Sequence, residues 1–221
     1  MNCVPAFRRA CKTSHSFVDF AVQKALEATD EPKWSSRQDD NKQYIFGDAL
    51  IEETRDKKIL REECLNVLLA SRNTTSCCLT WTLRLLAGHP AVMEGLRDEI
   101  ASISGLGTGA TQPIREHLKK MTYMSLVLKE LLRLYPSVPV NSRSALTTTT
   151  LPFGGGLDGR SPILVRKGQV VGYCVYAMHR RVDIYGHDAL EFCPGRWENE
   201  KLKDVGHGYL PFNGGPRVCL G

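Results

Sequence analysis

The chain ends in Phe212-Asn213-Gly214-Gly215-Pro216-Arg217-Val218-Cys219-Leu220-Gly221. Five of these residues, Phe212, Gly215, Arg217, Cys219 and Gly221, make the fixed pattern Phe-x-x-Gly-x-Arg-x-Cys-x-Gly. At roughly one in twenty per fixed position, chance produces such a match on the order of once per ten thousand chains of this length. A glycine-rich tail with one stray buried cysteine is the plain alternative, and that rarity weighs against it.

Composition narrows the classes around this motif. The 221 residues are 42% apolar and 24% charged, as in a soluble globular protein and unlike a disordered, collagenous or coiled-coil chain. No apolar run approaches the ~20 residues of a membrane-spanning helix. The opening MNCVPAFRRACKTSHSF has no continuous apolar stretch of secretory-signal length. Net charge is +5, with basic residues spread along the chain. Nucleic acid is therefore not an expected partner, whereas an acidic protein or an anionic membrane surface suits the balance.

Eight cysteines in a chain without a signal read as thiols in a reducing compartment. Cys64, Cys77 and Cys78 fall in a helical pattern, where cysteine acts as a small hydrophobe. There is no Cys-x-x-Cys pair, and Cys174, His179, His187 and Cys193 are spaced unlike common zinc sites. Zinc is not expected.

The first half reads as helix. Phe17, Phe20, Ala21, Ala25 and Ala28 give a stripe over 14–29, followed by a polar loop, 31–41, and a second helix over 41–55. The longest pattern, 56–87, starts charged and turns almost wholly apolar, which predicts a helix entering the protein centre and ending at Gly88 and Pro90. Ser71, Arg72, Asn73, Thr74, Thr75 and Ser76 then become buried polar residues that need partners or a function. Helices over 90–103 and 121–134 follow, the second carrying Glu130 and Arg133 on one face among leucines and ending at Pro136. Beyond it, 138–146 reads as extended, 151–161 as a glycine-rich turn, and 163–165 with 169–175 as a hairpin around Arg166-Lys167-Gly168. From 183 to 221 little regular structure is expected, and so long an irregular segment is normally functional.

With these residues together, the chain resembles the cytochrome P450 family, whose haem-binding signature the terminal motif matches. The resemblance implies haem b with Cys219 as the axial thiolate on iron, Gly215 and Gly221 shaping the loop, Arg217 beside a haem propionate and Phe212 shielding the proximal face. A thiolate ligand donates electron density that favours O–O cleavage, and its loop must supply positive potential and N–H donors. The family pairs the Glu130–Arg133 helix with an arginine of a Pro-x-Arg-aromatic segment, here Arg196 in Phe192-Cys-Pro-Gly-Arg-Trp197. The three are expected to form one structural network that locks the Cys219 loop. A buried carboxylate–guanidinium pair needs such a further partner.

Ala70-Ser71-Arg72-Asn73-Thr74-Thr75 resembles the family's oxygen-binding segment, which implies catalytic roles for Thr74 and Asn73 in delivering protons to dioxygen. Ser71 stands where glycine is usual, and Asn73 where an acid is usual; an amide cannot relay a proton as a carboxyl can. Arg143 occupies a propionate-binding position of the family, and His179 reads as a packed or capping residue. LLRLYPSVPVNSR, TLPFGGGLDGRSPILVRKG and the run from Val175 to Gly186 are similar to fungal members that hydroxylate n-alkanes and fatty acids.

The expected fold is mainly α with small β-sheets (α+β), a partial P450 domain over 1–221. It divides into a helical part, 14–135, a small β region, 136–182, and a meander with the haem-thiolate loop, 183–221. The resemblance implies a monooxygenase inserting one atom of dioxygen into an apolar small molecule, with electrons from an NADPH-dependent flavin reductase of the cytochrome-reductase type. The full-length relative is expected at the endoplasmic reticulum membrane, held by an N-terminal anchor with no counterpart here. Because the match covers only the C-terminal half of the family's domain, the chain is expected to be a fragment, inactive alone. Two rivals stay open: a non-catalytic truncated remnant without haem, and a small Cys/His metal protein.

Overall fold

The computed structural model describes residues 4–29, 46–198 and 200–220. It is mainly helical, with two small antiparallel strand pairs, and divides into two compact units, one up to Asn73 and one from Thr74 onward.

In the first unit, α1 (Pro5–Thr29) begins earlier than its apolar stripe predicts. Val18, Val22 and Leu26, one turn apart, are its buried face. They meet Ile51 of α2 (Phe46–Glu53) and Leu60 of α3 (Lys57–Gly88). The expected stripe is corrected: Phe17 and Phe20 are each 65% exposed, because α1 is apolar on two faces and only the branched one has partners. The expected loop over 31–41 and the first part of the second helix, 41–45, lie outside the described residues. Asp56 caps α3 by accepting the Lys58 amide at 2.8 Å, and Arg61 Nε bonds Asp19 of α1 at 2.5 Å.

The helix α3 runs to Gly88 as expected, but its middle is not buried. Ser71, Arg72, Asn73, Thr75 and Ser76 are exposed and Thr74 is half-buried, while Leu69, Leu79 and Leu83 are 56%, 59% and 69% exposed. Apolar composition shows that a helix can be covered, whereas burial requires neighbours. Hydroxyls here use the helix itself: Thr80 and Thr82 donate to the carbonyls of Ser76 and Cys78, both at 2.8 Å.

The second unit is built around α6. Helices α4 (Pro90–Ser104) and α5 (Arg115–Lys120) precede α6 (Thr122–Leu134). Glu99 of α4 caps α6, its carboxylate accepting the amides of Tyr123 at 2.7 Å and Met124 at 2.8 Å; negative charge at a helix N-terminus opposes the macrodipole. At the other end Arg180 donates to the Leu134 carbonyl. The buried face of α6 holds Val127, Leu131 and Leu134, and also Glu130 and Arg133.

The expected hairpin between 163–165 and 169–175 is corrected. Strand β1 (Val140–Ser144) pairs with β4 (Val170–Cys174), and β2 (Thr149–Gly155) with β3 (Ser161–Val165), both antiparallel. The four make one bent ribbon whose corner is bridged by Gly168 N to Ala145 O at 2.8 Å and Ala145 N to Gln169 O at 3.0 Å. The turn at Arg166-Lys167-Gly168 exists, with Gly168 at φ +81, but it bends the ribbon instead of joining paired strands. The glycine-rich tip is also shorter than 151–161, since β2 continues to Gly155 and β3 starts at Ser161.

Past α7 (Val175–Met178) and α8 (Val182–Tyr185) the chain holds only single 3-10 turns among the described residues. Tyr185, Ala189, Trp197 and Leu202 give this meander its own small core.

Candidate functional site

Glu130 and Arg133 lie one helical turn apart and are fully buried. Arg133 Nε and Nη2 reach the two Glu130 oxygens, each at 2.8 Å, in a two-pronged pair. The other Arg133 hydrogens go to the carbonyls of His179 at 2.8 Å, Ala189 at 2.6 Å and Glu191 at 3.0 Å. All five guanidinium donors thus have acceptors, which is what a charge removed from water requires.

Glu130 is the hub. Besides Arg133 it accepts the Cys193 amide at 3.1 Å, Arg196 Nε at 3.2 Å and the Trp197 indole N–H at 3.0 Å. Arg196 places its remaining donors on the Tyr185 carbonyl at 2.7 Å, the Asp188 carbonyl at 2.8 Å and both Asp188 carboxylate oxygens, at 2.8 and 3.0 Å. The hydrogen bond and charge of Arg196 hold the Asp188 carboxyl below its usual range. One helix and the segment 179–197 are thereby fastened through the Glu130 carboxylate and the Arg133 guanidinium together. Asp188 and Trp197 were not singled out from sequence: no spacing rule links Asp188 to an arginine eight residues on. Trp197 carried a weak signal, an indole N–H next to an arginine awaiting a buried acid.

His179 is fully buried and continues this network. Its Nδ1 lies 3.1 Å from the Arg133 carbonyl, and its Nε2 accepts the Leu210 amide at 2.7 Å. Burial lowers its pKa to about 4, so the ring is neutral near pH 7. Tyr209 stacks on it with centroids 5.2 Å apart and donates its hydroxyl to the Lys129 carbonyl at 3.1 Å. Burial raises the Tyr209 phenol, and it raises that of Tyr185 to about 12.

From Leu210 the chain enters the Cys219 loop. Asn213 N bonds the Leu210 carbonyl at 3.3 Å, and the Cys219 amide returns to the Phe212 carbonyl at 2.9 Å, closing the loop. Asn213 has φ +69 with its side-chain oxygen taking the Tyr173 hydroxyl at 2.6 Å, and Gly215 also has φ +69, a backbone that favours glycine. Cys219 is a free, exposed thiol. Phe212, Val218 and Leu220 are 57%, 51% and 98% exposed, and Arg217 is exposed in the turn Gly215–Arg217. An open thiol among bare apolar side chains and a cation fits a flat apolar macrocycle with anionic substituents, so the residues present suit a haem. Gly221 lies outside the described residues.

Arg143 is brought to the edge of this loop: its guanidinium sits 5.7 Å from the Tyr173 ring centroid and donates to the Ser142 carbonyl at 2.8 Å. Thr74 is held elsewhere in the same unit, its carbonyl accepting Ser137 Oγ at 3.0 Å. Asn73 is exposed and belongs to the first unit. Among the described residues no group of three or more His, Cys, Asp or Glu could hold a metal ion, and no helix is long and apolar enough to cross a membrane.

The model of the family described as Cytochrome P450 matches residues 3–221. A Cytochrome P450 of Arthroderma benhamiae is 61% identical over 215 residues, covering 97% of this chain and 43% of that protein. Cytochrome P450 52A13 of Debaryomyces hansenii is 49% identical over 218 residues, covering 97% and 41%. A Cytochrome P450 monooxygenase g430 of Fusarium sp is 48% identical over 217 residues, covering 98% and 38%. The chain belongs to the cytochrome P450 family, a family of oxidoreductases that use haem, and it spans about two fifths of the length of these relatives.

Proposed function

We propose that the whole protein is a haem-thiolate monooxygenase. It inserts one atom of dioxygen into an apolar substrate of the n-alkane or fatty-acid class, with electrons from an NADPH-dependent flavin reductase at the endoplasmic reticulum membrane. The observation that carries this reading is the Cys219 loop, closed by the Cys219–Phe212 backbone bond with its thiol exposed. When bound at Cys219, haem b would supply the iron that activates dioxygen. Cys219 Sγ would hold that iron, Arg217 and Arg143 would pair with the propionates, and Phe212 would keep water from the sulfur. Loop donors matter because a thiolate, not a thiol, is the ligand. The Glu130–Arg133–Arg196 network acts at one remove, fixing the meander that delivers the loop.

Thr74 Oγ1 would hold and pass the proton that dioxygen reduction needs. Asn73 cannot ionise, so the proton reaches Thr74 through water and not through a side-chain acid. The substrate class is supported by the likeness of residues 131–143 and 150–168 to fungal alkane and fatty-acid hydroxylases, and by relatives of the 52A group.

Two measurements test the proposal. Haem titration should give saturable one-to-one binding; absence of binding would establish the haem-free remnant instead. With reductase and NADPH, hydroxylated products are expected from a panel of long-chain n-alkanes and fatty acids. No product from the whole panel would overturn the substrate class.

A further inference from the structure

Among the described residues, the His179 ring has a polar contact on each side of the gap between the buried ion network and the cysteine loop. At its inner end Nδ1 meets the carbonyl of Arg133, whose own guanidinium donates to the His179 carbonyl at 2.8 Å. At its outer end Nε2 accepts the Leu210 amide at 2.7 Å. Leu210 is the residue before the Pro211-Phe212 entry to the loop, and its carbonyl receives Asn213 N at 3.3 Å. We propose that His179 is a positioning residue for Cys219: a neutral imidazole strut, protonated on Nδ1, that sets where the Cys219 loop leaves the Glu130–Arg133 network.

The chemistry follows from the two contacts. The Arg133 carbonyl can only accept, so Nδ1 must carry the proton; the Leu210 N–H can only donate, so Nε2 must carry the lone pair. A neutral imidazole with this tautomer satisfies both. The ring is also fixed in orientation by Tyr209, 5.2 Å away and inclined at 28°. Rigidity at Leu210 is passed on by a short path: Leu210 to Asn213 through the backbone, then Phe212 to Cys219 through the closing bond at 2.9 Å. Cys219 has no such tie of its own to α6 among the described contacts; the loop entry is referred to that helix by the His179 strut at Leu210, beside the Tyr209 hydroxyl on the Lys129 carbonyl at 3.1 Å.

The proposal rests on the haem-thiolate reading only for the use made of the loop's order, and its test is independent of activity. In the full chain, nitrogen-15 NMR at pH 7 should show His179 protonated on Nδ1; a proton on Nε2 would overturn the strut. Two substitutions then separate its ends. In His179→Asn the amide sits near Nδ1 and can still serve Arg133 but stops short of Leu210. In His179→Gln the amide oxygen sits near Nε2 and can still accept from Leu210. Amide hydrogen exchange over 208–220 should quicken on the order of tenfold in His179→Asn and stay within about twofold of the parent in His179→Gln, with α6 amides steady in both. Unchanged loop exchange in His179→Asn, or equal loosening of loop and α6, would contradict the positioning role. The haem-thiolate reading fails on a different measurement, the spectrum of Cys219→Ala, so the two failures are distinguishable.

Discussion

Arg196 and Asp188 meet head-on: Nη1 reaches Oδ1 at 2.8 Å and Nη2 reaches Oδ2 at 3.0 Å, while the Asp188 carbonyl takes the second Nη2 hydrogen at 2.8 Å. The pair anchors the meander from outside, as Glu130 anchors it from within. Because Arg196 lowers the Asp188 pKa in the folded chain, this stabilisation is present above the unfolded value, about 3.9, and is lost as pH falls through the folded one. Asp188→Asn should therefore melt lower than the parent at neutral pH, and the difference should close as pH falls below the ordinary carboxylate range. Thermal melts at several pH values check this.

Removing the hub carboxylate should do far more. Glu130→Ala leaves Arg133 and Arg196 buried without their shared acceptor, which costs about 3–5 kcal/mol. Arg133→Lys keeps the charge but cannot reach one carboxylate and three carbonyls from a single nitrogen, and it should cost about 2–4 kcal/mol. Denaturant unfolding of both variants measures the order.

Trp197→Phe removes one bond of the hub. An aromatic ring stays in the core with Tyr185 and Leu202, while the N–H to Glu130 at 3.0 Å is lost together with part of the indole's packing. A hydrogen bond to a buried charge contributes about 1.5–3 kcal/mol, so a loss of that size is expected in urea titration.

His179 gives the chain an acid-sensitive window. Its pKa is depressed from 6.5 to about 4 by burial, so the unfolded chain takes up the proton first as pH falls. Stability should be full above about pH 6.5 and decline toward pH 4, by on the order of 3 kcal/mol in total. His179→Gln should flatten this decline, read from melting temperatures at fixed ionic strength.

Much of the fold was legible because its signals are local. Gly88 and Pro90 marked the end of α3, Pro136 the end of α6, and the i, i+3 spacing put Glu130 and Arg133 on one face. The mainly helical class with small sheets followed from the same periodicities. Partner choice is not local. Arg166-Lys167-Gly168 bends the chain without reversing it, so β3 and β4 pair with β2 and β1, and the chain over 145–148 bends at the same point. Apolarity along α3 predicted a buried middle, but coverage depends on which segments pack there, and Leu69 and Leu83 stand exposed. In the site, Cys219 and Arg196 came from the resemblance to family motifs, whereas Asp188, Trp197 and the strut role of His179 depend on how an irregular segment folds back on α6.

Cys219 as an iron-binding thiolate is tested most directly by the carbon monoxide difference spectrum of the reduced, haem-loaded protein. The parent should show the strongly red-shifted Soret band of thiolate ligation, and Cys219→Ala should lose it. A red-shifted band retained in Cys219→Ala would contradict the account.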